Sequence, residues 1–82
     1  MNIYLVKRED RVWYDQTAGM VIVAKTEKDA VDFFLKDVNE FEFKYREEQM
    51  TADRLSVMRI GVTTPEYVYD VTHSVLTDFR AG

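Results

Sequence analysis

Two short runs constrain this chain more than anything else in it. "NIYLVK" at residues 2–7 and "GMVIVAK" at 19–25 are apolar on both alternating faces. In the first, Ile3 and Leu5 fall on one side, and Tyr4 and Val6 on the other. Short length and β-branched content favour strands over helices. Strands that are apolar on both sides are usually central, or face a helix on one side and something else on the other. That something else can be a second protomer.

The helix follows at once. Thr26 reads as its N-cap, with Glu27, Lys28 and Asp29 in the first turn. Asp29 stands three residues after the cap, as in a capping box. Ala30, Phe33, Phe34, Val38 and Phe41 recur at helical spacing and define the buried stripe. Asn39 suits a C′ position, so the helix is expected to end near Val38. From there "NEFEFKYREEQ" alternates, with Phe41, Phe43 and Tyr45 set against Glu42, Lys44 and Arg46. Alternation argues for an amphipathic strand, and a continued helix competes with it.

"MTADRL" reads as a turn and "LSVMRIGV" at 55–62 as a strand. Thr64 and Pro65 mark one short helical turn, and "HSVLTDF" at 73–79 closes the fold as a strand. The expected architecture is α+β. A small, mainly antiparallel sheet of four to five strands carries one main helix on one face, in the order β-β-α-(β)-β-β. Residues 1–82 make one domain. Five phenylalanines, five tyrosines and one tryptophan compensate for the small core of so short a chain.

Composition excludes several functions. With no cysteine and one histidine, neither a disulfide nor an ordinary structural zinc site is available. Three glycines, Gly19, Gly61 and Gly82, supply no phosphate loop. No metal or cofactor is expected. His73 stands near Asp70 and Ser74, but alternation puts both on the opposite side of a strand from it, so no catalytic triad is expected. The chain is therefore not expected to be an enzyme. No secretory signal and no spanning apolar run can be read, which points to a soluble protein of the cytoplasm without a membrane partner.

The net charge of −4 lies within residues 26–48, where eight acids face four bases. A basic footprint is missing, so direct nucleic-acid binding is not expected. Glu40, Glu42, Glu47 and Glu48 form the one candidate acidic surface. They would serve a decoy that imitates DNA and inhibits a nucleic-acid-binding or defence protein. Interleaved bases weaken that reading. Trp13, Tyr14, Tyr67 and Tyr69 lie in or beside connections and are the candidate partner contacts, while the competing and better-favoured reading has Trp13 fold over an open sheet edge or cap the core. Phe33, Phe34, Phe41 and Phe79 have core spacing instead.

A resemblance adds to this. Tyr4, Leu5 and Val6, then Tyr14 and Asp15, then Val21, Val23 and Ala24, then Thr26, Glu27, Asp29 and Ala30 follow one another as short motifs. Near the end come "LSVMRIG" and the group Val75, Leu76, Phe79, Ala81 and Gly82. In these segments the chain resembles a family of small uncharacterised proteins of tailed bacteriophages and prophages. Residues 37–53 fall outside the resemblance, and no catalytic residue comes with it. It implies a phage accessory protein of the bacterial cytoplasm. Such a protein would be a non-enzymatic interaction module that binds and modulates a host or phage protein, with a homodimer as a further way to cover the sheet.

Overall fold

The computed structural model describes residues 1–13, 15–64, 66–67 and 71–80. Its elements are β1 (Asn2–Arg8), β2 (Gln16–Ala24), α1 (Glu27–Phe41), a 3-10 turn (Ala52–Arg54), β3 (Leu55–Val62) and β4 (His73–Arg80). The four strands form one antiparallel sheet in the order β3-β1-β2-β4. The two runs that are apolar on both sides are the central pair, as their patterning requires.

α1 lies across one face. Thr26 caps it, its hydroxyl accepting from the Asp29 backbone N–H at 3.1 Å. Ala30, Phe34 and Val38, four residues apart, are fully buried against Tyr4 and Val6 of β1 and Met20, Ile22 and Ala24 of β2. Those strand residues are the even-numbered ones, so the odd-numbered set faces away from the helix.

The region after the helix departs from the expected pattern. α1 runs through Phe41 instead of stopping near Val38, and no fifth strand forms among the described residues. The Asn39 side chain explains both. Its amide NH2 donates to the Met50 carbonyl at 3.0 Å, and its oxygen accepts from the Met50 N–H at 2.7 Å. One side chain thus stands in for a backbone pair, and the segment folds back without a strand partner. Met50 is buried beneath it.

The aromatic order changes with it. Phe41, expected in the core, is 74% exposed at the end of the helix. Phe43 takes the core place, because the helix closes there in a wider turn: the Glu42 and Phe43 N–H groups both donate to the Val38 carbonyl, the second across five residues. Phe79, also expected in the core, is half exposed on edge strand β4. α1 rests mainly on β1 and β2, so the outer strand lacks its cover.

Candidate functional site

The β1–β2 connection is organised by one buried cation. Arg8 follows Tyr4 and Val6 on the helix side of β1, and its side chain is 2% exposed. A charge so placed must be fully paired. Its Nε and Nη2 donate to the two Asp10 carboxylate oxygens, each at 2.8 Å. Nη1 donates to the Gln16 amide oxygen at 3.3 Å, and Nη2 also reaches the Arg11 carbonyl at 3.3 Å. The guanidinium lies over the Phe43 ring, 5.5 Å from its centroid. Arginine suits this place because its planar fork matches a carboxylate and its face stacks on an aromatic ring.

This network holds Trp13 in position. The Gln16 oxygen that accepts from Arg8 also accepts from the Trp13 backbone N–H at 3.0 Å. Asp15 then turns the chain with a left-handed φ of 59°, a conformation that aspartate tolerates better than most residues. Its N–H donates to the Arg80 carbonyl, which ties the connection to the end of β4. Trp13 itself is 55% exposed. The Arg11 guanidinium lies 3.9 Å from its ring centroid. Arg46 covers the other aromatic of the site, Phe43, at 4.8 Å.

Together these side chains line a cleft of about 210 Å³. Four arginines (Arg8, Arg11, Arg46, Arg54) meet two acids there, Asp10 and Glu48. Arg54 pairs with Glu48 and Arg8 with Asp10. Arg11 and Arg46 have no ion-pair partner among the described residues. On a chain of net charge −4, this is a locally positive, aromatic corner. The Arg8 guanidinium holds the Asp10 carboxyl below the usual aspartate range, because its hydrogen bonds favour the ionised form.

The other sequence-selected residues lie elsewhere. Tyr67 is beside His73 at the far end of β4, with ring centroids 5.7 Å apart and an interplanar angle of 11°. His73 Nδ1 donates to the Val71 carbonyl at 2.7 Å, and Nε2 meets the Tyr67 hydroxyl. The length of β4 separates this pair from the Trp13 end of the sheet, roughly 23 Å for its eight residues. Trp13 and Tyr67 therefore do not share one surface. Tyr14 and Tyr69 lie outside the described residues, as do Pro65 of the expected turn, Asp70 of the discounted triad, and Ala81 and Gly82. Ser74 pairs with Ile22 on the helix side while His73 pairs with Val23 on the other, so the two do not converge.

The four acids do not form one array. Glu42 accepts from the Thr17 backbone N–H at 2.7 Å, beside the register shift in β2. Glu48 pairs with Arg54. Glu40 and Glu47 are exposed. Burial raises the nearby Asp37 carboxyl above the usual aspartate range, and the Glu42 and Glu40 charges add to the rise. Among the described residues, no three His, Asp or Glu side chains converge on a common point. Among the described residues, no helix is long and apolar enough to cross a membrane.

Sequence reasoning missed Arg8, Gln16, Phe43 and Arg46. A signal for Arg8 existed. A charged residue continuing the Tyr4–Val6 face needs a buried partner, and Asp10 stands two residues away. Phe43 and Arg46 could not be found, because their place depends on how the chain folds back after α1. Compared with protein-family models, with curated proteins and with solved structures, the chain matches none.

Proposed function

We propose that this chain is a non-enzymatic protein-interaction module, a phage accessory protein that binds and modulates another phage or host protein in the bacterial cytoplasm. The supporting observation is the half-exposed Trp13 with Arg11 stacked on it, at the rim of a positive cleft. Tryptophan and arginine are the residues most enriched at binding hot spots, where large area and directed donors combine. Neither the Arg11 nor the Arg46 charge is neutralised within the described residues, so the chemistry that fits is a protein surface presenting carboxylates beside an apolar residue. Anchoring of Trp13 by the Gln16 amide limits the entropy lost on binding.

Affinity capture from host lysate tests this with three forms of the chain. A protein retained by the wild type and by Lys28→Ala, but lost with Trp13→Ala and with Arg11→Ala, is the expected result. Retention of the same proteins by all forms would contradict the reading.

A further inference from the structure

Arginine is distributed unevenly in this molecule. Four of its six arginines (Arg8, Arg11, Arg46 and Arg54) line the cleft beside Trp13, and among the described residues none of its five lysines does. They come from three separate parts of the chain: the end of β1 with the connection after it, the segment after α1, and the 3-10 turn. Set against Asp10 and Glu48, four positive charges less two negative leave an excess of two within about 210 Å³. Like charges gathered so closely repel one another. An anion that completes the cleft removes that repulsion.

The two surplus guanidiniums are set for such a contact. Arg11 rests on the Trp13 ring at 3.9 Å and Arg46 on the Phe43 ring at 4.8 Å, measured to the ring centroids. The Arg46 backbone N–H also donates to the Phe43 carbonyl at 3.1 Å, which fixes where that side chain starts. A guanidinium resting on a ring keeps its N–H edge for other acceptors and loses little freedom when an oxyanion binds. Lysine brings only a point charge, whereas arginine gives planar, bidentate recognition of oxyanions, so the choice of arginine here carries chemical meaning.

We infer that the anion taken by this cleft is a phosphoryl group, carried by a phosphorylated side chain of the partner protein. The inference rests on the reading of the Trp13 corner as the partner contact. Charge and space choose the group. Two carboxylates would have to share the cleft with Asp10 and Glu48, and carboxylates so crowded raise one another's pKa and lose charge. One phosphoryl brings a charge of about −1.5 to −2 on a single centre, with three strong acceptor oxygens for two planar forks. Arginine clusters are a recurring receptor for it. Trp13, half exposed at the rim, then meets the apolar neighbour of the phosphorylated residue. Arg54 supplies a third set of donors once Glu48, itself largely exposed, is displaced from it.

Trp13 is the only tryptophan of the chain, so its fluorescence reports occupancy of the cleft. Inorganic phosphate, titrated into the purified chain to about 20 mM at constant ionic strength, should give a saturable change with a dissociation constant on the order of 1 mM. Arg46→Ala should weaken binding about tenfold, and Arg46→Lys about fivefold, since it keeps the charge but not the fork. Glu48→Gln should tighten it about threefold by releasing Arg54. Arg59→Ala, on β3 outside the cleft, should leave it unchanged. Lysate dephosphorylated and dialysed before affinity capture should no longer supply the protein that the wild type retains. No saturable change in the wild type, or one indifferent to both Arg46 substitutions, would overturn the inference, while a protein captured through Trp13 would leave the interaction reading standing. Saturation by phosphate with capture absent, or unaffected by dephosphorylation, would assign the cleft to free phosphate and overturn the phosphorylated partner.

Discussion

Arg8 and Asp10 form a bidentate ion pair two residues apart, with both oxygens of the carboxylate met at 2.8 Å and the arginine side chain 2% exposed. This pair closes the β1–β2 connection and presents Trp13. Removing Arg8 deletes a buried side chain stacked on Phe43 and leaves Asp10 and Gln16 without their donor. Arg8→Ala should therefore cost about 2–4 kcal/mol in urea unfolding. Arg8→Lys should recover little, because an ammonium cannot match both oxygens and lie flat on Phe43.

The same pair sets a pH dependence. The Asp10 pKa is lowered by folding, so its contribution to stability is present above the usual aspartate range. It is lost as pH falls through that range and on past the lower folded value. Denaturant titrations from pH 7 downward should show this loss in the wild type, and a weaker acid dependence in Asp10→Asn.

Asp37 carries the opposite sign. Folding raises its pKa, so its ionised form opposes folding at neutral pH and protonation relieves that opposition. Asp37→Asn should stabilise the domain at pH 7, by at most about 0.5 kcal/mol since the group is partly solvated. That gain should shrink as pH drops through the aspartate range. Thermal melts at pH 7 and in acid check both statements.

Asn39 tests the fold-back after α1. Asn39→Ala removes both bonds to the Met50 backbone and should cost about 1–3 kcal/mol. Asn39→Asp keeps the acceptor but loses the donor to the Met50 carbonyl, and should cost less than the alanine change at acid pH, where the carboxyl regains a proton. Hydrogen exchange at the Met50 amide, measured beside urea unfolding, reads the loss locally.

Much of the scaffold is legible in the residues themselves. The doubly apolar runs around Leu5 and Val21 announce central strands, and Thr26 announces the helix start, because each rests on local chemistry. Segment 39–50 is not legible in the same way. Alternation of Phe41, Phe43 and Tyr45 mimics a strand, yet no neighbouring strand edge receives it, and the Asn39 clamp on Met50 decides the outcome. Phe41 and Phe79 have core spacing but lie where the helix ends or does not reach. The exposure of Trp13 likewise depends on Arg8, Gln16 and Phe43, which come together only in three dimensions.

The most direct test of the proposed binding corner is site-specific photo-crosslinking in bacteria that express the chain. A photoreactive phenylalanine replaces Trp13 in one form and Lys28, on the opposite side of the molecule from the open sheet face, in another. Position 13 should give one dominant protein adduct that is absent at position 28, and Arg46→Ala in the same chain should reduce it several-fold. Equal adducts at both positions, or none at position 13 when the chain is folded and abundant, would contradict the assignment of Trp13 as the partner contact.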